Sequence, residues 1–106
     1  MHYKITYEAE AEQALEKIFA YYIDQVGYDL ASDIIDAMTE VINSLCTMPN
    51  RCQNSHFSDK IHRLIIAKPP YSVYFCILEE SQEVVILEIL HNKRDQNFLQ
   101  AKYENF

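Results

Sequence analysis

The spacing of apolar residues changes from helical to strand-like near the middle of the chain, and this change limits the possible folds more than any other feature. Before residue 50, apolar side chains recur every three or four positions in two segments. After it, three short apolar runs are separated by short polar turns. Two helices with a short connection predict an antiparallel hairpin, and three closely spaced strands predict an antiparallel meander.

Local signals give approximate bounds for these elements. Residues 2–7 alternate and predict a first strand, and residues 8–25 form the first helix, which Gly27 ends. Asp29 is the expected cap of the second helix, and Pro49 its end. Its stripe is expected to include Leu30 and Val41. Seven side chains of the two helices should face the sheet: Leu15, Ile18, Phe19, Ile34, Met38, Ile42 and Leu45.

Three further strands are predicted at residues 60–67, 71–78 and 84–91, and Leu99, Tyr103 and Phe106 hint at a short docked helix. The expected fold class is therefore α/β, more narrowly α+β, in the order β-α-α-β-β-β. The helical hairpin packs on one face of a mostly antiparallel sheet. The other face should stay partly open and is the expected place for a site. Residues 1–106 are expected to form a single domain.

The net charge of −7 lies entirely in the first 50 residues, and the second half is neutral. A broad basic field of the kind that grips a phosphate backbone is therefore absent from the sequence. We expect no membrane-spanning segment and no signal peptide. Three cysteines without a C-x-x-C pair fit a reducing cytoplasm.

We expect neither a metal nor another cofactor. His2, His56 and His62 show no ligand spacing with one another or with the cysteines, so no zinc site is predicted. A single glycine cannot build a phosphate-cradling loop.

Several motifs, taken in order, resemble the RelE/ParE toxin superfamily and its ParE branch. Y-x-I-x-Y at residues 3–7 and E-A-E-x-x-L-E-x-I-x-x-Y-I near residues 10–23 are similar to the start of ParE-type toxins. L-x-x-M-P-x-R (residues 45–51), H-R-L (62–64) and Y-S-V-Y-F (71–75) resemble the middle segments. V-V-I-L-E-I-L-H-N-K-R-D (84–95) resembles the family's H-x-x-R-D ending. The resemblance covers residues 3–95.

This resemblance implies the toxin half of a bacterial type II toxin–antitoxin pair, with a cognate antitoxin that wraps and blocks it. ParE-like toxins poison DNA gyrase, with no established catalytic chemistry, whereas RelE-like toxins cleave mRNA on the ribosome. The resemblance is compatible with a homodimer and with a toxin–antitoxin hetero-oligomer. We also expect an exposed apolar groove for the antitoxin, because Tyr21, Tyr22 and Ile23 widen the first helix's stripe.

If the chain is a nuclease, its candidate catalytic residues are Arg63, His91 and Arg94. Arg63 matches the middle-strand arginine of the family, and a guanidinium suits a phosphate that gains charge. The structural alternative is a cross-strand pair with an acid such as Glu88. His91 could move a proton, and Arg94 could stabilise an oxyanion. Arg94 and Asp95 could instead have a structural role at the end of the strand, bonded to the backbone or to each other.

Tyr71 and Tyr74 should point to opposite faces of their strand, one buried and the other free to stack on a base or fill an antitoxin pocket. Tyr103 resembles the late tyrosine of RelE-like toxins only loosely. The leading hypothesis is a gyrase-binding toxin without enzymatic activity. The alternatives are a ribosome-dependent mRNA endonuclease, against which the net charge of −7 argues, and a non-toxic relative that only binds a partner.

Overall fold

The computed structural model describes residues 2–94 and 96–104 and follows the predicted order of elements. Its helices and strands are β1 (Lys4–Tyr7), α1 (Ala9–Val26), α2 (Tyr28–Asn43), β2 (His62–Ile66), β3 (Tyr71–Leu78), β4 (Glu83–His91) and α3 (Phe98–Lys102). The α+β fold class is thereby confirmed, as is the short C-terminal helix. The part of that prediction that rests on Phe106 lies outside the described residues.

One residue, Gly27, separates the two long helices. Its φ of 87° lies in the region that favours glycine, and its N–H donates to the carbonyl of Ile23 at 2.9 Å. Gly27 therefore ends α1 as predicted. The expected cap at Asp29 is wrong, because α2 already begins at Tyr28 and has no side-chain cap. Asp29 lies in the first turn instead, where a carboxylate is favourable beside the helix dipole.

The second helix ends earlier than expected, at Asn43, and two single turns of 3-10 helix follow it at Ser44–Cys46 and Pro49–Arg51. Pro49 is the first residue of the second turn, so it does not end α2. The Arg51 guanidinium holds this segment, since its Nη1 donates to the carbonyls of Thr47 at 3.0 Å and Met48 at 3.2 Å.

The four strands form one sheet in the order β1-β4-β3-β2. The β2-β3-β4 meander is antiparallel as predicted, and β1 adds to β4 in parallel. A β-bulge interrupts the β3–β4 register: Tyr74 lies opposite Glu88, Phe75 lies opposite Ile86, and Leu87 is the additional residue.

The helical hairpin covers the face of the sheet to which Val73, Phe75, Val84 and Ile86 belong, called here the helix face. None of the seven side chains predicted to face the sheet is exposed, and Ile18, Met38, Ile42 and Leu45 are buried. The predicted α2 stripe was too wide, however. Leu30 and Val41 are 58% and 38% exposed. Ile35 rather than Ile34 packs against the core.

The opposite face of the sheet, called here the second face, is not open as predicted. Helix α3 and the segment before β2 cover it, and Ile61, Tyr74, Cys76, Leu87, Leu90 and Leu99 form a second buried cluster there. Tyr71 and Tyr74 do point to opposite faces, but both are buried, at 8% and 0% exposure. Neither ring is therefore free to stack on a ligand in this structure. Among the described residues, no helix is long and apolar enough to span a bilayer.

Candidate functional site

Arg63 lies on β2, at one edge of the sheet, and its side chain points to the second face. Its Nε and Nη2 donate to Ser72 Oγ at 3.0 and 2.8 Å, and its guanidinium lies 5.8 Å from the centre of the Tyr74 ring. Ser72 Oγ in turn donates to Asn92 Oδ1, and Asn92 Nδ2 donates to the carbonyl of Ile66. Two strands and the turn that follows β4 therefore fix the orientation of this one guanidinium.

Arg63 is not paired with Glu88, the acid suggested by the sequence. No carboxylate of the described residues lies within salt-bridge distance of its guanidinium. Its Nη1 has no hydrogen-bond partner in that part of the chain. The side chain is half-buried beside Tyr74, and among the described residues its Nη1 donors are not used by another protein group.

Glu88 belongs to a different contact, between β4 and α3. Its Oε2 accepts hydrogen bonds from Lys102 Nζ and from the Tyr103 hydroxyl, each at 2.7 Å. Lys102 Nζ also lies 3.6 Å from Glu10 of α1. The hydrogen bond to Glu88 raises the pKa of Lys102, and burial together with the same carboxylate raises the pKa of Tyr103. A buried acid thus attaches α3 to the sheet.

His91 lies at the end of β4 and points to the helix face. Its ring meets the Tyr71 ring edge-on at 5.2 Å between centroids, and its Nδ1 accepts from the Lys93 N–H at 3.0 Å. Burial raises the pKa of Tyr71 to about 12, so this phenol stays protonated at neutral pH.

Arg94 lies close to His91. Its backbone N–H donates to the His91 carbonyl at 3.0 Å, and its guanidinium stacks 4.9 Å from the Phe98 ring. Both residues, with Lys17 of α1, line a shallow groove of about 190 Å³. Asp95, the last residue of the H-x-x-R-D motif, lies outside the described residues.

The three candidate catalytic residues therefore occupy two places. His91 and Arg94 share a groove beside α1, whereas Arg63 lies on the other face of the sheet with Ser72 and Asn92. Within the described residues, no three His, Cys, Asp or Glu side chains are grouped as a metal site requires.

An exposed apolar groove of about 460 Å³ runs along α2, lined mainly by Val26, Leu30, Ile34, Ala37 and Pro69. Its position differs from the prediction. Tyr21 and Ile23 are exposed on α1, at 55% and 37%, but Tyr22 packs against the core. Most of the groove thus belongs to the second helix and to the turn between β2 and β3.

Sequence reasoning missed the partners of these residues. Ser72 is a lone polar residue in an apolar strand, which is a signal that it has a buried partner, but its partner Asn92 lies 20 positions away, in the turn that follows β4. Tyr103 was noted only for its helical spacing and its loose resemblance to a late tyrosine, and Lys102 was not noted. Their contact with Glu88 could not be predicted, because it depends on where α3 docks.

Comparisons with known proteins agree with the fold. The model of the family described as "ParE toxin of type II toxin-antitoxin system, parDE" matches residues 5–96. No curated protein matches the chain. A structure of the chromosomal ParDE system from P. aeruginosa is 19% identical, with a TM-score of 0.75 over 85% of this chain and 96% of the other.

Two further structures share the architecture. A free mutant of the E. coli toxin RelE is 9% identical, with a TM-score of 0.72 and full coverage of both chains. The RelBE2 toxin–antitoxin complex from Mycobacterium tuberculosis is 19% identical, with a TM-score of 0.66 over 87% of this chain and 100% of the other. At these identities the likeness establishes the fold. The family match over residues 5–96 confirms the predicted RelE/ParE resemblance, and the chain belongs to the ParE toxin family of type II toxin–antitoxin systems.

Proposed function

We propose that this chain is a growth-inhibiting toxin of the bacterial cytoplasm that acts by binding a protein target, DNA gyrase. A cognate antitoxin neutralises it by covering part of its surface. Membership of the ParE family supports the toxin role. The structures of ParDE and RelBE2 as toxin–antitoxin systems support the antitoxin as partner.

The separation of Arg63 from His91 and Arg94 is the observation that carries the binding mechanism. Cleavage of RNA through its 2′-hydroxyl needs a base, an acid and a charge-stabilising group within hydrogen-bond reach of one phosphate. Here the candidate base, His91, contacts Tyr71 on the helix face, and Arg63 contacts Ser72 on the second face. A single scissile phosphate cannot lie against both faces of the sheet.

Charge supports the same mechanism. The chain carries a net charge of −7, and seven of its nine basic residues are scattered through the neutral second half. Binding to the ribosome or mRNA gains most of its affinity from clustered cations, which this surface lacks. A protein target can be recognised through a few apolar and arginine anchors instead.

Two assays on purified protein distinguish the targets. We expect the chain to inhibit supercoiling by gyrase and to leave cell-free translation unaffected. Short induction in cells should produce no new mRNA 5′ ends inside reading frames. Discrete cuts in translated messages, together with active gyrase, would reverse this assignment in favour of a nuclease.

Single arginine substitutions provide a second test. Arg63→Ala and Arg94→Ala should each weaken growth inhibition only partly, because each loses about 1–2 kcal/mol of target binding. Lys60→Ala, a loss of charge at an exposed position, is the matched control and should retain full toxicity. Growth curves at graded induction measure the difference. Complete loss of toxicity in Arg63→Ala alone, with an intact fold, would contradict the binding mechanism.

One observation favours the alternative of an mRNA endonuclease, namely the Arg63 guanidinium whose Nη1 has no partner among the described residues. Such a group could hold a phosphate. Cleavage of mRNA that depends on Arg63 but not on His91 would identify a nuclease of this kind. Wild-type protein that leaves growth, gyrase and translation unaffected would identify a non-toxic partner-binding relative.

A further inference from the structure

Two adjoining hollows between α1 and the end of β4 form one groove, called here the α1–β4 groove. Their volumes are about 200 and about 190 Å³, and Lys17 and Arg94 line both. The hollows also share an apolar floor, which consists of Ala14, Ile89 and Leu90. The groove therefore combines an apolar floor with two cations, both of which are exposed.

Lys17 is the only base of α1, a helix that carries four acids. On a helix, side chains three and four positions apart can pair. None of these positions around Lys17 is acidic, since they hold Gln13, Ala14, Ala20 and Tyr21. No carboxylate of the described residues lies within salt-bridge distance of the Lys17 ammonium. Its charge is therefore available to a partner.

The Arg94 guanidinium is held in place without being neutralised. It stacks 4.9 Å from the centre of the Phe98 ring, and such stacking leaves the N–H groups at the edge of the guanidinium free to donate. Within the part of the chain that the structure describes, it makes no ion pair and donates no hydrogen bond. A planar fork of this kind matches the two oxygens of one carboxylate.

His91 adds a third donor at one end of the groove. Because its Nδ1 accepts the Lys93 N–H, the neutral ring carries its proton on Nε2, which is therefore a donor. None of the described residues that line this hollow of about 190 Å³ is acidic. The His91 end of the groove thus offers hydrogen-bond donors and positive charge.

The other end of the groove is different, because two acids line it, Glu10 and Glu88. Lys102 Nζ lies 3.6 Å from the Glu10 carboxylate and 2.7 Å from the Glu88 carboxylate. These acids are therefore already paired with a cation of α3. The unpaired positive charge of the groove is concentrated at the His91 end.

We propose that the His91 end of the α1–β4 groove binds the carboxylate of an aspartate or glutamate side chain of the protein target, with Lys17, His91 and Arg94 as donors. This inference rests on the proposed function and names the chemistry of one contact with that target. The carboxylate accepts charge-assisted hydrogen bonds, and its apolar stem lies on the floor of the groove.

Size and polarity favour this occupant over a free ligand. The hollow of about 190 Å³ is smaller than the pockets of roughly 300–1,000 Å³ that enclose drug-sized ligands, so it suits one side chain of a larger partner. A phosphate dianion is a poorer occupant, because the apolar floor cannot replace its hydration.

The site is tested on the full chain with three small probes. Benzoate carries one carboxylate on an apolar ring, benzamide is its uncharged counterpart, and inorganic phosphate is an anion without an apolar part. The ¹⁵N-labelled chain is titrated with each probe at constant ionic strength and followed by NMR. We expect saturable benzoate shifts at Lys17, His91 and Arg94, and binding of the other two probes that is at least about fivefold weaker. Benzamide or phosphate that binds as tightly as benzoate, or benzoate shifts confined to other surfaces, would overturn the proposal.

Matched variants locate the contact. Lys17→Gln/Arg94→Gln should weaken benzoate binding by about tenfold, because two charge-assisted contacts are lost. Lys4→Gln/Lys60→Gln removes the same charge at two exposed lysines elsewhere and should change it by less than about threefold. His91→Phe keeps an aromatic ring but removes the donor, and should weaken binding by about threefold. Equal effects of the two double variants would refute the groove as the site, and unchanged binding in His91→Phe would refute His91 as a donor.

Inhibition of gyrase supercoiling tests the occupant. The concentration of Lys17→Gln/Arg94→Gln needed for half-inhibition should be about tenfold higher than that of wild type, and Lys4→Gln/Lys60→Gln should stay within about threefold. If the groove variant inhibits as well as wild type, the proposed function stands and this inference is wrong. If wild-type chain does not inhibit gyrase, the proposed function fails, and the occupant named here fails with it. A self-association of wild-type chain that the groove variant abolishes would assign the groove to a second copy and overturn the inference.

Discussion

The two faces of the sheet are covered in different ways. The helix face packs against two long helices through apolar side chains such as Met38, Ile42 and Phe75. The second face packs against a helix of five residues and a loop. There a smaller apolar cluster is combined with polar contacts, including Arg63–Ser72 and Glu88–Lys102. On the second face, polar and charged contacts supplement the packing of a short helix. On the helix face, two long helices are held mainly by the burial of apolar area.

The largest expected effect is on the free energy of unfolding, and it differs between the apolar clusters on the two faces of the sheet. Ile42→Ala should lower the free energy of unfolding by about 3 kcal/mol, because Ile42 is fully buried between long, well-packed elements. Leu99→Ala should lower it by less, by about 2 kcal/mol, since α3 is short and can relax around the cavity. Urea unfolding measures both. Equal losses would show that the second face is as cooperative as the helix face.

A control on the same helix accompanies that experiment. Val41 lies one position before Ile42 but is 38% exposed. Val41→Ala should therefore cost no more than about 1 kcal/mol. A larger loss would mean that Val41 is part of the core.

An intermediate effect tests the charged contact of the second face. Lys102→Met removes one partner of Glu88, whose side chain is 8% exposed, while Lys102 itself is 39% exposed. We expect a loss of about 1–2 kcal/mol after allowance for solvent screening, because the Tyr103 hydroxyl still satisfies the carboxylate. Lys60→Met at an exposed lysine should stay within about 0.5 kcal/mol. Equal urea midpoints for the two variants would show that the Lys102–Glu88 contact does not stabilise the second face.

The smallest expected effect is a dependence on alkaline pH. The pKa of Tyr103 is raised by burial and by Glu88, and that of Lys102 is raised by its hydrogen bond to Glu88. Both groups therefore hold their protons more tightly in the folded state. Their contribution to stability is complete below the ordinary tyrosine pKa of 10.0 and is lost as the pH rises above it.

Thermal unfolding at about pH 8 and about pH 11, which bracket these ordinary values, measures the loss. Tyr103→Phe/Lys102→Met should lose less stability between the two values than wild type does. The same slope in both proteins would assign the alkaline dependence to other groups, of which the buried Tyr71 is the first to examine.

Much of the fold could be predicted from local patterns. Helical spacing located α1 and α2, and alternation located β3 at its observed bounds. Local patterns failed where two neighbouring stripes of α2 were both apolar. Periodicity marks Leu30 and Ile34 as one side of a helix, but it does not say whether that side meets the sheet or the solvent. For the same reason, the groove was predicted on α1 at Tyr21–Ile23, whereas the structure places it along α2.

The candidate site was predicted less well, since its partners come from separate segments of the chain, a strand and the turn after β4. Arg63 was identified from its position in an apolar run and from the family resemblance. Its contact with Ser72 and Asn92 needed the register of three strands. The covering of the second face by α3 could not be read from five residues with a weak pattern.

The sequence by itself determined the elements, their order, the acidic first half and the membership of the ParE family, because each is encoded in local spacing or in motifs in order. Only the tertiary structure decided which face His91 occupies. Strict alternation from Val84 and Ile86 would have placed His91 on the second face with Arg63. The bulge at Leu87 shifts the alternation by one residue, turning Glu88 toward Lys102 and His91 toward α1.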